Sequence, residues 1–351
     1  MSQELAFPYG AVTSSAVFKS TPGDFEVEED LGFEPSGDGE HLFLWVEKSG
    51  LGTMELIERL AREYALPPSL FGHSGLKDKH ALTRQWLSLH LPGKASPITA
   101  ASGDGYRILR QLRHHKKLRP GTHRSNSFRV CLRRFDALPD ETRQQIESVA
   151  RQGFANYFGR QRFGRQQDNV RQALAQLGKR RLPRSRKSLY LSSLRSHLFN
   201  QVLAQRIRLG HWLDPVDGDV FMLRGSHSIF SDELDADLIA RYRSMDISSC
   251  ASLYGAGRNL MSAQAFEIEQ QQFALYGEIT DRLDRHDSKL QMRPLRVAAD
   301  SFDYDYDVAA ATLRLELSLP AGSYVTTLLD HFVQMEDLSQ TSSDKHRTSP
   351  R

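Results

Sequence analysis

Strand-like patterns at both ends of the chain enclose a helical middle, and this order constrains the fold more than any other feature. Residues 127–133 and 313–319 alternate apolar with polar side chains, which predicts half-buried strands. Residues 193–209 and 262–286 have helical periodicity with end signals. The order predicts an α+β protein in which a more helical domain is inserted into a loop of a strand-rich one, whose two halves join in space.

The first hundred residues fit the strand-rich part. The stretches 25–29, 42–47 and 85–91 predict strands. Thr53 is predicted to be the N-cap of an amphipathic helix that ends before Pro67-Pro68.

Composition excludes several classes of protein. The chain has 351 residues, 39% of them hydrophobic, which is enough for the cores of two domains. It has no apolar run of 18 residues and no signal-peptide pattern, so we expect a cytoplasmic protein without a membrane partner, and a monomer by default. The only cysteines, Cys131 and Cys250, indicate neither a disulfide framework nor a thiolate zinc site.

Charge is strongly segregated along the chain. Residues 107–208 carry 25 Lys and Arg against five Asp and Glu, whereas the rest carries 21 against 38. The densest run is 179–187, with six basic residues. A block with so large an excess of basic residues favours a polyanionic partner. Contacts of Lys and Arg with phosphates release counterions from a nucleic acid, which favours binding. Aromatic residues interleave with arginines in 156–165, and no duplex-DNA motif is present, so structured RNA is the favoured partner.

The segment Gly75-Leu76-Lys77-Asp78-Lys79-His80 is the candidate for chemistry. Three cation-capable neighbours, Lys77, Lys79 and His80, would keep Asp78 ionised and competent as a nucleophile. The same lysines could hold a phosphate. Taken alone, the segment fits a charged surface loop better than a catalytic one, because a short motif without structural context is often matched by chance.

Four segments together resemble the motifs of one family, the tRNA pseudouridine synthase D (TruD) family. They are Phe18–Glu29, Phe71–Trp86, the Asn-Tyr-Phe-Gly-Arg-Gln-Arg-Phe-Gly run at 156–164, and Leu319–Tyr324. The resemblance implies a pseudouridine synthase catalytic domain with a central antiparallel sheet, formed by 1–152 and 299–338. It also implies an inserted TRUD domain at 153–298. The polar residues 339–351 are predicted to form a disordered tail.

The resemblance also implies an activity and a site. Asp78 corresponds to the family's catalytic nucleophile, the substrate is uridine 13 in the D arm of tRNA, and the reaction needs no cofactor or metal and implies no obligate protein partner. Lys19 resembles the basic partner of the aspartate, and Phe128 takes a stacking position. The remaining substrate-contacting positions correspond to Phe25, Asn126 and Tyr324. Whether Asp78 attacks the uracil ring or assists at the ribose is left open.

Two other functions compete with this one. A non-catalytic RNA-binding protein would have no physical need for a carboxylate among phosphate-facing cations, so Asp78 together with Lys19 favours an enzyme. A metal-dependent nuclease could use Asp303, Asp305 and Asp307, which would share one strand face, but alternating acids are also typical of a solvated strand.

Overall fold

The computed structural model describes residues 5–93, 95–96, 98, 102–164, 168–179 and 181–338. The predicted tail 339–351 and Arg180 of the basic run lie outside the described residues. The strands are β1 Ser15–Phe18, β2 Phe25–Asp30, β3 His41–Lys48, β4 Phe71–His73, β5 Leu82–His90, β6 Ser102–Gly103, β7 Tyr106–His114, β8 Ser125–Arg133, β9 Phe154–Ala155, β10 Val220–Leu223, β11 Ile229–Ser231, β12 Ile247–Leu253, β13 Gln291–Pro294, β14 Arg296–Val297, β15 Asp300–Asp307, β16 Thr312–Pro320 and β17 Gln334–Asp337. The α-helices are α1 Thr53–Glu63, α2 Asp140–Gln152, α3 Asn169–Gln176, α4 Arg184–Arg208, α5 Ala236–Arg243, α6 Ala263–Leu275, α7 Gly277–Asp284 and α8 Val325–Leu329.

The chain forms two compact units. The first, here called the sheet unit, comprises the described residues of Thr13–Asp140, Ala299–Gly322 and Val333–Arg351. The second, here called the helical unit, comprises the described residues of Met1–Val12, Glu141–Ala298 and Ser323–Phe332. Each unit draws on discontinuous parts of the chain, and the α+β class predicted from the sequence is confirmed.

The sheet unit is built on one eleven-stranded sheet. Its main path runs β15-β16-β8-β2-β5-β3-β7-β6, with β1, β4 and β17 paired at its sides. Most neighbours are antiparallel, as predicted, but β2 pairs with β5 and β1 with β17 in parallel. The sheet is therefore mixed. A parallel β2–β5 pair is possible because the long connection through β3, α1 and β4 returns the chain to the same end of the sheet.

Two of the predicted strands, β8 and β16, lie side by side in the sheet. In β8, Asn126, Phe128, Val130 and Leu132 share one face, and in β16 the leucines at 313, 315, 317 and 319 stand opposite them in register. All four leucines are buried. The apolar residues of the period-two pattern are therefore the ones that face the core. This fixes the register of β8 against β16, because a slip by one residue would expose the leucines.

Helix α1 packs its apolar stripe on another part of the same sheet. Leu56, Ile57 and Leu60 join the core formed by the inward side chains of β3 and β5. The N-cap is Gly52 rather than the predicted Thr53, whose hydroxyl instead donates to Gln85 Oε1 at 2.8 Å. The Thr53 side chain is thus used across the fold instead of at the helix end.

The helical unit has α4 at its centre, with Leu194, Leu198 and Val202 in the core. The helix is longer than the predicted 193–209, since it begins directly after Pro183. The predicted helix 262–286 is two helices, α6 and α7, separated at Tyr276. A four-stranded sheet, ordered β11-β10-β12-β13, accompanies them.

The compact units do not follow the predicted domain limits everywhere. The N-terminal residues belong with α2, because Gln145 Nε2 donates to the carbonyls of Tyr9 and Ala11 at 3.2 and 2.9 Å. Residues 323–332 belong with β9, because His331 Nε2 accepts the Ala155 N–H at 3.0 Å. The assignment of 1–152 and 299–338 to catalysis and 153–298 to an inserted domain stays a prediction.

Candidate active site

The loop Gly75–His80 connects β4 to β5 in the sheet unit, with Asp78 near its end. Asp78 Oδ2 accepts a charged hydrogen bond from the Lys19 ammonium. Asp78 Oδ1 accepts the His80 backbone N–H at 2.9 Å. The Asp78 side chain remains 21% exposed, whereas that of Lys19 is 2% exposed. The carboxylate is therefore held by two donors and still reachable from solvent.

These donors decide the protonation state of Asp78. Burial would raise the pKa of the Asp78 carboxyl, but the charge and hydrogen bond of Lys19, together with the His80 N–H, outweigh it. The pKa of Asp78 consequently lies below the ordinary aspartate value. An ionised and accessible carboxylate is the form that a nucleophile requires.

The two lysines that flank Asp78 in the sequence bind other groups. Lys77 Nζ forms an ion pair with Glu29 at 2.7 Å, and Lys79 Nζ forms one with Glu55 at 2.9 Å. The expectation that these lysines keep Asp78 ionised is wrong. The cation on Asp78 is instead Lys19, the residue that directly follows β1.

Lys19 is fixed by its surroundings. Its φ of 59° lies in the left-handed region, which non-glycine residues seldom adopt. Its Nζ lies 4.9 Å from the ring centroid of Phe18 and 4.7 Å from that of Phe25, within the range of cation–π attraction. The turn that follows is anchored by Asp24, whose carboxylate accepts hydrogen bonds of 2.7 to 3.0 Å from the Arg133 guanidinium. The ammonium is therefore pre-oriented toward Asp78.

Two buried side chains hold the backbone of the loop. Lys48 Nζ donates to the carbonyl of Asp78 at 2.9 Å and to that of Leu51 at 2.7 Å. Thr53 Oγ1 accepts the Lys77 N–H at 2.8 Å. Burial lowers the pKa of Lys48 to about 8, although the charge of Asp78 acts in the opposite direction. Neither role is predicted by the sequence.

The predicted substrate-contacting residues of β2 and β8 lie close to this pair. The rings of Phe25 and Phe128 are stacked, with centroids 6.1 Å apart and planes inclined by 16°. Asn126 shares its face of β8 with Phe128, and its Oδ1 accepts Lys77 Nζ at 2.7 Å. Contacts within the sheet unit therefore connect four of the predicted residues, Lys19, Phe25, Asp78 and Phe128. Asn126 contacts Lys77, the sequence neighbour of Asp78.

Tyr324, the sixth predicted residue, lies in the helical unit at the start of α8. Its hydroxyl accepts Arg162 Nη2 at 3.2 Å, and its ring centroid is 6.4 Å from that of Phe158. Both partners belong to the 156–164 motif. The contacts of Tyr324 within its unit thus include a hydrogen bond to its hydroxyl as well as ring contact.

Polar residues that the sequence analysis did not select surround the Asn126 end of the site. Glu29 is buried, and it interacts with Lys77 and with the nearby His73 and His123. Burial lowers the pKa of both histidines, with the Lys77 charge acting in the same direction and the Glu29 charge against it. The available signal was the position of Glu29, since alternation from Phe25 places it on the inward face of β2.

The acidic strand considered as a nuclease site has a different environment. Asp305 and Asp307 in β15 lie 3.6 and 3.8 Å from Arg314. In the described part of the chain, no group of three or more His, Cys, Asp or Glu is arranged to hold a metal ion. None of the helices there is long and apolar enough to cross a lipid bilayer.

Comparison with known proteins identifies relatives over almost the whole chain. The family model for tRNA pseudouridine synthase D (TruD) matches residues 10–176 and 166–332. The tRNA pseudouridine synthase D of Methylococcus capsulatus is 38% identical over 337 residues, covering 95% of both proteins. That of Aeromonas salmonicida is 39% identical over 340 residues, covering 96% of both.

The fold has a counterpart of known structure. A crystal structure assigned to TruD from Methanosarcina mazei superposes with a TM-score of 0.70, covering 96% of this chain and 97% of the other, at 20% identity. The resemblance expected from four sequence motifs is confirmed, and the chain belongs to the tRNA pseudouridine synthase D (TruD) family.

Proposed function

We propose that this protein isomerises uridine 13 in the D arm of tRNA to pseudouridine, with Asp78 as the nucleophile. The family to which it belongs makes pseudouridine from uridine in tRNA. The observation that carries the assignment of Asp78 is its geometry: a carboxylate kept ionised by a buried lysine and still 21% exposed. We further propose that the protein acts as a cytoplasmic monomer.

The reaction suits a single carboxylate. The N1–C1′ bond of uridine breaks, the base rotates, and a C5–C1′ bond forms, while C5 loses a proton and N1 gains one. Substrate and product have the same composition, so no water is consumed, unlike in a glycosidase with its two carboxylates. Attack at the uracil ring and attack at the ribose both require Asp78 to be ionised.

The aromatic pair would hold the base. A uracil that leaves the helix loses its stacking, and an aromatic side chain can replace that contact. Phe128 lies on the same strand face as Asn126, and Phe25 stacks against Phe128. We therefore assign Phe128 to stacking on the base, and Phe25, Asn126 and Tyr324 to substrate contact.

The charge distribution supports tRNA as the partner. Arg184, Arg186 and Lys187 are exposed in the first turn of α4. Cations there are unfavourable because the N-terminal end of a helix carries partial positive charge. A phosphate backbone would relieve this repulsion and release counterions.

Site-resolved pseudouridine mapping tests the proposal. The purified protein would be incubated with an unmodified tRNA transcript carrying U13 and with the same transcript carrying C13. We expect pseudouridine at position 13 of the first and no pseudouridine in the second. Modification at another uridine would contradict the position, and absence of pseudouridine in several tRNAs would contradict the activity.

A further inference from the structure

We propose that Lys77 is a positioning residue, which fixes the amide of Asn126 so that its N–H group is presented to a carbonyl oxygen of the target uracil. The inference rests on the proposed function and adds to it the hydrogen-bonding partner of the base. It assigns Lys77 and Glu29 a role that is separate from the ionisation of Asp78.

The arrangement is a buried bridge between two strands. Glu29 of β2 and Asn126 of β8 stand directly opposite each other in register. Lys77 Nζ lies between them, 2.7 Å from Glu29 Oε2 and 2.7 Å from Asn126 Oδ1. Glu29 Oε1 accepts the Trp86 N–H at 3.2 Å. The side chains of Lys77 and Glu29 are 5% and 0% exposed, so the bridge is shielded from water.

The bridge determines which end of the amide faces away from it. An ammonium group only donates hydrogen bonds, so the amide atom in contact with Lys77 must be the oxygen. The nitrogen, Nδ2, then points to the opposite side, and no acceptor for it occurs among the described residues. Without Lys77 the amide could turn over and present either group.

A fixed N–H donor has a consequence for recognition. Uracil offers two carbonyl acceptors and one N3–H donor, so a donor at Asn126 pairs with a carbonyl and not with N3–H. Loss of such a hydrogen bond in a buried site leaves a polar group without a partner, which costs free energy. Through this contact Lys77 would influence catalysis without touching the substrate itself.

A double-mutant cycle tests this role. Lys77→Met alone would leave Glu29 as a buried unpaired charge, so it is combined with Glu29→Gln, which still accepts the Trp86 N–H. We expect Asn126→Ala and the Glu29→Gln/Lys77→Met pair each to lower the single-turnover rate by about 10- to 100-fold. The three changes together should cost no more than about threefold beyond Asn126→Ala alone, because Lys77 acts through Asn126. The Kd for tRNA should stay within about threefold of wild type in all of them.

Lys79→Met is the matched comparison, because Lys79 flanks Asp78 on the other side and binds Glu55. Its effect, whatever its size, should multiply with that of Asn126→Ala. If the rate loss of the Glu29→Gln/Lys77→Met pair also multiplies with that of Asn126→Ala, the positioning role is overturned. The proposed function does not fall with it, because that function is tested by the activity of the wild-type protein.

A substrate-side measurement covers the case in which the variant pair does not fold. Transcripts carrying 2-thiouridine or 4-thiouridine at the target replace one carbonyl oxygen by sulfur, a weaker acceptor. We expect one of them to slow wild-type turnover by about fivefold or more and to have little further effect in Asn126→Ala. Wild-type rates that are unchanged by both would overturn the proposal, as would equal losses in wild type and Asn126→Ala.

Discussion

Each unit of the protein contains an aspartate paired with a buried cation, and the two pairs are built differently. In the helical unit, the Arg206 guanidinium binds both oxygens of Asp219 at 2.9 and 2.8 Å. The Val216 N–H and the Ser249 hydroxyl also donate to Asp219, at 2.9 and 2.7 Å. The Asp219 side chain is completely buried.

In the sheet unit, Asp78 has fewer bonds and one open side. Lys19 donates to one oxygen and the His80 N–H to the other. An ammonium is a point charge, whereas a guanidinium forms a planar fork that occupies a whole carboxylate edge. The difference teaches that the charge of a single lysine can keep the Asp78 carboxylate ionised, while the sparse bonding of that carboxylate keeps it available.

The largest expected effect is that of Asp78→Asn. The amide has nearly the same shape but cannot act as an anionic nucleophile, so the single-turnover rate should fall by at least about 10⁴-fold. Binding of tRNA should survive, which filter binding would check. Near-normal turnover in this variant would remove Asp78 from the chemistry.

The same substitution in the other pair should act on stability instead. Asp219→Asn leaves Arg206 as a buried charge without its counter-ion, so we expect the free energy of unfolding to fall by about 3–5 kcal/mol. The rate per folded molecule should remain near that of wild type. Urea denaturation with parallel activity assays would measure both, and loss of activity without loss of stability would break the comparison.

Lys19→Met should change the pH dependence of the rate. Because Lys19 holds the pKa of Asp78 below its ordinary value, wild-type activity should persist down to about pH 4. Without the cation, burial raises the pKa of Asp78, so the acid limb of the pH–rate profile moves toward neutral pH. Below the raised pKa, the rate of the variant relative to wild type should fall by up to about tenfold per pH unit. Parallel pH–rate profiles for the two proteins would contradict this.

The same shift has a consequence for stability. A carboxyl with a lowered folded-state pKa stabilises the native state above its unfolded value of about 3.9, and this contribution is lost as the pH falls through the folded-state pKa. The contribution should be smaller in Lys19→Met at pH 7, and thermal melts from pH 7 to pH 3 would reveal the difference.

The smallest expected effect concerns Tyr324. Tyr324→Phe removes the bond from Arg162 Nη2 to the hydroxyl, but Arg162 also donates to Ser192 at 2.9 Å, so the rate should change by less than about threefold. Tyr324→Ala also removes a stacking face worth about 1–3 kcal/mol, which corresponds to a loss of about 5- to 150-fold. Equal losses in both variants would give the hydroxyl the main role.

Sequence periodicity predicted the strands that bury only one of their two faces. The leucines of β16 and the apolar residues of β8 alternate cleanly, and both strands were located to within two residues. In the helical unit, β12 is buried on both faces with small side chains at Ser248 and Ser249, so it has no alternation to detect. The polar first turns of α4 likewise carry no apolar stripe, and its start was missed.

The site was predictable at its nucleophile and less so around it. Motifs identified Asp78, and the family resemblance supplied Lys19, but local charge alone also suggested Lys77 and Lys79, which bind Glu29 and Glu55 instead. Glu29 and Lys48 could have been selected from period-two alternation, since each continues the inward face of its strand. A charged residue at an inward position needs a partner, and here the partners lie in the loop that carries Asp78.

The way in which this loop is held limits how the active site could be reused. Within the hexapeptide Gly75–His80, only the His80 N–H contributes to the placement of the Asp78 carboxylate. Lys19 follows β1, Lys48 ends β3, and Thr53 begins α1. Grafting the hexapeptide onto another scaffold would therefore transfer a recognisable motif without its chemistry, and an engineered minimal synthase would have to retain those three supports as a set.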